Sequence, residues 1–364
     1  MKDKFLIISI IISFIIINIK AQDNNFLQGL SVKPFIHYGF IANHHPEMAY
    51  FTDRHIAPFE ISVLKRTDGS KVWQQLYKYP EVGISLFTTS FSSSDILGNV
   101  VAAYPFIVFS NHNKSNGFNF RIGTGLGYFS EKFSRYDNYK NLAISTHINA
   151  TINFRTEYFI KVSDASDISV GVGLTHFSNG AFKTPNLGLN IITASTAISL
   201  YPYGRIKIKD TVLRPEKSKN AAFSYWLAVG EKEVYPVYGK KFKTFTLSTD
   251  VMLKTSQINR LGLGLDFFYD ESDKKYLIDH EISFKNDIEI MKIGASIINE
   301  FQFSKISFLQ YMGLYGYSKN TSSGLLYQRL ALRYYFYKGA FACISLKTHW
   351  GKADFTEFAV GYRL

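Results

Sequence analysis

A histidine and a serine two residues apart end one alternating segment of this 364-residue chain. Side chains of a strand point to opposite faces in turn, so one face of the segment carries a column of aliphatic residues and then these two side chains. That face consists of Ile168, Val170, Val172, Leu174, His176 and Ser178. Serine becomes a nucleophile when a nearby base takes its proton. A base and a hydroxyl above a lipid-facing column therefore predict cleavage of an ester at a membrane surface.

The same alternation recurs over most of the chain and predicts the elements that position this pair. It is clearest in 118–128, 147–162 and 358–364, where one face is apolar and the other polar or glycine-rich. Segments split this evenly are typical of strands with lipid outside and a polar interior. We therefore predict an all-β fold, a transmembrane antiparallel outer-membrane β-barrel of about fourteen to sixteen strands. The predicted strands are 29–43, 55–65, 79–92, 97–111, 116–130, 146–162, 167–179, 187–202, 220–232, 242–254, 258–269, 288–301, 305–318, 325–336, 340–350 and 355–364.

The first residues have the pattern of an export signal. Lys2 and Lys4 precede an apolar run over 5–19, and Ala21 is a small residue at the expected cleavage point. The run is short for a membrane-spanning helix. We predict a signal peptide over 1–21 and a single barrel domain over 22–364, in which the basic stretch 205–219 is a long turn. The net charge of +12 could suggest a nucleic-acid partner, but export and the barrel pattern exclude that class.

Two short motifs resemble a known family. His176–Gly180 reads H-F-S-N-G and 185–188 reads P-N-L-G, and both resemble the outer-membrane lipid A 3-O-deacylases, also called acyloxyacyl hydrolases. The segment 73–83 is similar to the upstream region of longer members. The resemblance covers about 35–202, so the prediction divides the chain into a deacylase-like part, 22–202, and additional barrel strands, 203–364.

The resemblance implies roles for individual residues. Ser178 is the expected nucleophile and His176 its general base. Asn186 is the expected oxyanion stabiliser, supported by Asn179. The family's active-site phenylalanine falls on Phe154, which would pair directly with position 176 if the hairpin turns around residue 165.

The third member of the implied triad departs from the family pattern. The position of the acid is occupied by Asn190, on the outward face of the next strand. An asparagine oxygen can still orient an imidazole, although it stabilises the imidazolium less than a carboxylate does. Glu157 cannot replace it, because its parity points the side chain into the barrel.

The predicted outer loops carry two further groups of polar residues. One has metal-ligand types without a recognised spacing, and we interpret it as loop rather than metal site: His44, His45, Glu47 and His55. The other flanks the site and is either solvated surface or a contact for lipid A phosphates: Lys132, Arg135, Lys140 and Lys183. We expect no metal and no cofactor.

The leading hypothesis is an integral outer-membrane esterase that hydrolyses acyl esters of lipid A by a Ser-His mechanism. The rival from another class is a non-catalytic barrel, either a porin-like channel or a structural protein, which Asn190 and the size of the barrel favour. A phospholipase-type barrel acting on glycerophospholipids is a third possibility. The sequence leaves the ester that is cut and the oligomeric state open.

Overall fold

The computed structural model describes residues 27–51, 55–110, 115–206, 208, 220–237 and 239–364. The predicted signal peptide lies outside these residues. Within them, no helix is long and apolar enough to cross a bilayer.

The described chain is built almost entirely from antiparallel strands. The first group is β1 (Leu30–Ile41), β2 (His55–Ile56), β3 (Phe59–Arg66), β4 (Glu81–Ser90), β5 (Asn99–Ser110), β6 (Asn116–Phe129), β7 (Ile148–Lys161), β8 (Ser166–Ser178) and β9 (Leu189–Leu200). The second group is β10 (Ala221–Glu233), β11 (Lys241–Lys254), β12 (Asn259–Asp270), β13 (Lys292–Phe303), β14 (Ile306–Tyr317), β15 (Leu326–Tyr337), β16 (Ala340–His349) and β17 (Lys352–Arg363). Short helices occupy Pro46–Phe51, Val72–Leu76, Glu271–Asp279 and Asp287–Ile290.

The strands close into two barrels. In the first, β1 and β3 to β9 pair in order and β9 pairs back with β1, while the two-residue β2 extends the pairing at the end of β1. In the second, β10 to β17 pair in order and β17 closes on β10. The all-β outer-membrane barrel class and the number of long strands are confirmed. The prediction of one barrel is wrong.

The error has a physical cause. The alternation of apolar and polar residues shows which face of each strand meets lipid. This pattern is the same for one barrel of sixteen strands and for two barrels of eight strands. The pairings of β1 with β9 and of β10 with β17 decide between them. The stretch 205–219, predicted as a turn within one barrel, therefore connects the sequence of the first barrel to that of the second. Of this stretch, the structure describes residues 205, 206 and 208.

Ion pairs fill the interior of the first barrel. Glu60 on β3 is fully buried and lies 2.7 Å from Arg121 on β6 and 2.5 Å from Arg155 on β7. Lys33 pairs with Glu157 at 2.5 Å, so Glu157 points inward as its parity predicted. Towards the outer end, the end that carries the long loop 130–147, the interior changes to an apolar core.

The second barrel has a similar charged interior. Arg329 lies 2.6 Å from Asp266 and 2.8 Å from Glu357, and all three side chains are fully buried. Arg333 pairs with Asp250 in the same interior. Because these cations have carboxylate partners, part of the cost of burying their charges is offset.

The outward faces are apolar, as the alternation predicted. Val170 and Val172 are 56% and 62% exposed, and Phe358 and Val360 are each 64% exposed. The barrels touch each other at both ends. At the outer end, loop 179–188 contacts β10, β11 and β17. At the opposite end, the ring of Tyr77 stacks on Phe303 with 4.4 Å between centroids.

Candidate active site

The motif H-F-S-N-G lies at the outer end of β8. Phe177 points inward, is fully buried and packs edge-on against Phe129 with ring centroids 5.1 Å apart. This anchor in the apolar core holds the end of the strand. His176 and Ser178, on either side of Phe177, therefore point outward together, as the alternation predicted.

Two donors converge on the hydroxyl of Ser178. Asn186 donates from Nδ2 to Ser178 Oγ at 2.9 Å, and the backbone N–H of Gly180 donates to the same atom at 3.1 Å. Donors this close to a serine oxygen also lie near the place where the oxyanion of an acyl-transfer reaction would form. Across the described residues, no hydrogen bond joins Ser178 directly to His176.

Asn179 ties the loop after β8 to its surroundings. Its backbone N–H donates to Asn186 Oδ1 at 3.1 Å, which orients the Asn186 amide with Nδ2 towards Ser178. Its own Nδ2 donates to Ser145 Oγ at 2.9 Å and to Lys183 O at 3.0 Å. Asn179 thus supports Asn186 and does not itself reach the hydroxyl. Ser145, which joins loop 130–147 to this loop, had no recognisable signal in the sequence.

Asn190 lies directly opposite His176. The two residues are Cα partners in the pairing of β8 with β9, and His176 Nδ1 lies 2.7 Å from Asn190 Oδ1. Gly188 permits this packing. Its φ is +76°, and an added Cβ would lie 3.0 Å from Cε1 of the His176 ring. The P-N-L-G motif therefore supplies both a donor for Ser178 and the space for His176.

A second histidine contacts Asn190 from the other side. His44 Nδ1 lies 3.3 Å from Asn190 Nδ2, and His44 Nε2 lies 2.9 Å from the carbonyl oxygen of Leu187. The sequence analysis grouped His44 with metal-ligand types and missed this contact. His44 lies just after the end of β1, and β1 is a neighbour of β9 only because the barrel closes.

Phe154 is displaced from its predicted place. His176 pairs with Ile152, and Phe154 pairs with Leu174. The tight turn bonds Val162 N and Ser163 N to Ser166 O, which centres the hairpin on residue 164 instead of 165. A shift of one residue at the turn moves the partner by two, so Phe154 keeps its outward face but lies two residue pairs farther from the rim.

The two groups of polar loop residues singled out in the sequence do not form compact clusters. Within the part of the chain that the structure describes, no set of three or more residues could hold a metal ion, and His55 instead stacks on Tyr38 with ring centroids 5.1 Å apart. Lys132, Arg135 and Lys140 lie in loop 130–147, where Arg135 and Lys140 are exposed. Lys183 lies in the loop that carries Asn186.

The second barrel holds the loop between β8 and β9. Glu233, at the end of β10, accepts from the backbone N–H of Thr184 at 3.1 Å, and its own N–H donates to Ala181 O at 3.1 Å. Lys241 on β11 donates to Phe182 O and lies 3.6 Å from the centroid of the Phe182 ring. These contacts join the loop that carries the two Ser178 donors to the second barrel.

Two family profiles match the sequence, one for each barrel. The profile described as lipid A 3-O-deacylase (PagL) matches residues 58–199. The profile described as acyloxyacyl hydrolase, C-terminal domain, matches residues 221–364. Among curated proteins, the sequence has no match.

Solved outer-membrane proteins resemble parts of the structure. The outer membrane enzyme PagL is 17% identical, with 45% of this chain and 97% of that chain covered and a TM-score of 0.33. Neisserial surface protein A is 9% identical, with 48% and 97% covered and a TM-score of 0.35. A porin of Rhodopseudomonas blastica is 8% identical, with 92% and 99% covered and a TM-score of 0.18. With the two profiles on its two barrels, the chain is an outer-membrane β-barrel protein that belongs to the lipid A 3-O-deacylase family.

Proposed function

We propose that this protein hydrolyses ester-linked acyl chains of lipid A, with Ser178 as nucleophile and His176 as general base. The observation that carries the proposal is the convergence of Asn186 Nδ2 and Gly180 N–H on Ser178 Oγ. Both donors belong to the loop that follows Ser178, so they stay beside the hydroxyl as the loop is held in place. The site also faces outward at the end of a lipid-exposed column, where acyl chains can approach from the membrane.

The chemical steps use these side chains in turn. When substrate binds, the Ser178 hydroxyl turns towards Nε2 of His176 and gives up its proton as Oγ attacks the ester carbonyl. The tetrahedral oxyanion is held by Asn186 and Gly180, the kind of interaction that typically contributes about 3–4 kcal/mol to transition-state stabilisation. The carbon–oxygen bond breaks, and the lipid alcohol leaves with the proton from His176. Water then releases the fatty acid by the same route.

Asn190 acts in this scheme as the group that orients His176. Its Oδ1 accepts from Nδ1–H, so the lone pair of the imidazole is on Nε2, where the serine proton is received. An amide carries no charge, so the imidazolium formed during the reaction is stabilised less than it would be by a carboxylate. We therefore expect turnover below that of an otherwise identical site with an acid at this position.

Basic loop residues can bind the phosphates of lipid A. Lys183 lies between Asn179 and Asn186, and its backbone carbonyl is fixed by Asn179 and Ser145. Lys132, Arg135 and Lys140 lie in the neighbouring loop, which bonds to the site loop through Leu187 N and Leu142 O at 3.1 Å. Cations placed in this way would raise the affinity for an anionic headgroup without entering the chemistry. Phe154, two residue pairs farther from the rim than His176, would contact the acyl chain.

The buried charges favour this function over a porin-like channel. Eight strands enclose little more than their own side chains. Both interiors here are occupied by buried ion pairs, including Glu60 with Arg155 and Asp266 with Arg329. A conducting lumen would need these groups to be hydrated and separated.

Mass spectrometry of lipid A from cells with and without the protein tests the proposal. Expression of the native chain should remove an acyl chain, and Ser178→Ala or His176→Ala should each abolish the loss, since such residues act as a unit. Thr196→Ala, an outward hydroxyl lower on β9, is the matched control and should retain activity. Unchanged lipid A with the folded native protein would contradict the enzymatic function.

A further inference from the structure

The orientation of the Asn190 amide decides which form His176 takes. The two ends of an amide are unlike, because its oxygen accepts hydrogen bonds and its nitrogen donates them. With Oδ1 towards His176, the imidazole must carry its proton on Nδ1, which is the form with a basic Nε2. With the amide reversed, Nδ2 would donate to Nδ1 and the proton would have to lie on Nε2. A carboxylate would not present this choice, because both of its oxygens accept.

His44 contacts the end of the amide that faces away from His176. Its Nε2 lies 2.9 Å from the carbonyl oxygen of Leu187, and a carbonyl only accepts, so Nε2 carries the proton of the neutral ring. The lone pair is then on Nδ1, which lies 3.3 Å from Asn190 Nδ2 and accepts from it. The neutral ring of His44 thus favours the amide orientation that makes His176 a base.

We propose that His44 is a positioning residue that selects the productive tautomer of His176 through the amide of Asn190, and that its protonation reverses this selection. The proposal rests on the proposed Ser-His function. It assigns to His44 the task of fixing the orientation of the Asn190 amide. A carboxylate at position 190 would need no such help, because both of its oxygens accept hydrogen bonds.

A second carbonyl near His44 makes the reversal possible. The oxygen of Ala42 lies 3.2 Å from His44 Nδ1. Once protonated, the ring can donate from Nε2 to Leu187 and from Nδ1 to Ala42, so Nδ1 no longer accepts from Asn190. The amide then turns its oxygen towards the cation and its nitrogen towards His176. One proton is bound at His44, and the proton of neutral His176 exchanges through water from Nδ1 to Nε2.

The side chain of His44 is exposed, so a proton can reach the ring from solvent. The titratable groups that face it are His45, whose ring centroid lies 4.7 Å away, and His176 on the other side of Asn190. Among the ion pairs of the described residues, none includes His44.

A double-mutant cycle separates this role from simple support of the loop. The full-length protein in detergent micelles would be assayed for fatty-acid release as the native chain, His44→Ala, Asn190→Asp and the double variant. We expect His44→Ala to lower kcat about five-fold with KM little changed, which corresponds to one hydrogen bond of about 1 kcal/mol. In the Asn190→Asp background the same change should alter kcat less than about two-fold, because a carboxylate has no orientation to select. An equal loss in both backgrounds would overturn the proposal.

The pH profile gives a second kinetic signature. Native activity should depend on two histidines at low pH, so the slope of log kcat/KM against pH should approach about 2 there. The slope should approach about 1 in His44→Ala, where only His176 remains to be protonated. Equal slopes in the two proteins would contradict a switch at His44.

Nitrogen-15 NMR of histidine-labelled protein tests the tautomer without turnover. His176 in the native chain should carry its proton on Nδ1 when His44 is neutral, and on Nε2 once His44 is charged. His44→Ala should show both forms at high pH. If His176 keeps Nδ1–H in every case, the inference fails even where hydrolysis is observed. If the native protein does not hydrolyse lipid A, the proposed function fails while these tautomers still report on His44.

Discussion

Gly180 of the first barrel packs against Thr356 of the second with no room for a side chain. A Cβ added to Gly180 would lie 2.1 Å from Thr356 Oγ1, and the φ of Gly180 is +63°. Since the N–H of Gly180 is one of the two donors to Ser178, the second barrel abuts the backbone that would hold the oxyanion.

This contact predicts the effect of Gly180→Ala. The methyl group would push the loop away from Thr356 and displace the N–H, so kcat should fall by about ten- to a hundred-fold. Thr356→Ala removes the Oγ1 atom and should restore part of the activity when combined with Gly180→Ala. The rest of the loss should remain, because a left-handed backbone costs alanine about 1–2 kcal/mol. Thr356→Ala alone should be close to native in fatty-acid release, and a double variant no better than Gly180→Ala would argue against the contact.

Asn186 is expected to matter for rate more than for binding. Asn186→Ala removes the side-chain donor to Ser178, and loss of one such donor typically lowers kcat by about 10²–10³. KM should change little, because the interaction develops fully only in the transition state. Steady-state kinetics with micellar lipid A would separate the two constants. Asn43→Ala, on the loop after β1, is a suitable control. A change confined to KM would mean that Asn186 binds the substrate and does not stabilise the oxyanion.

Asn190→Asp tests whether the amide limits turnover. The two side chains have the same shape, so the introduced carboxylate should keep the 2.7 Å contact with His176 while adding a charge that stabilises the imidazolium. We expect kcat to rise about ten-fold or more, because the reverse change in a serine protease costs about 10⁴. Asn190→Leu, which has no acceptor, should fall below the native rate. If neither substitution alters the rate, another group orients His176.

Glu60 should be a determinant of stability in the first barrel. Glu60→Gln would leave the buried side chains of Arg121 and Arg155 without their shared carboxylate, and breaking a buried pair in this way costs about 3–5 kcal/mol. Heat-modifiable gel migration should show unfolding at a lower temperature. Asp164→Asn, which breaks the exposed pair with Lys161, is the control and should leave the transition almost unchanged. Equal stability of both variants would mean that water or neighbouring groups compensate inside the barrel.

The sequence alone determined the features that depend on local periodicity. A period of two residues specifies the face of each side chain without reference to other strands, so the sixteen long strands, the lipid-facing columns and the outward pair His176 and Ser178 could be predicted. The alternation in β9 likewise placed Asn190 on the same face as His176, and the structure makes them direct partners.

The tertiary structure decided everything that depends on which distant strands meet. Closure of β1 on β9 and of β10 on β17 turned one predicted barrel into two, and it brought His44 to Asn190 and Thr356 to Gly180. The centre of one hairpin moved Phe154 away from His176. Pairings between remote segments depend on the whole set of strands and their register, and the alternation within any one segment carries no record of its partner.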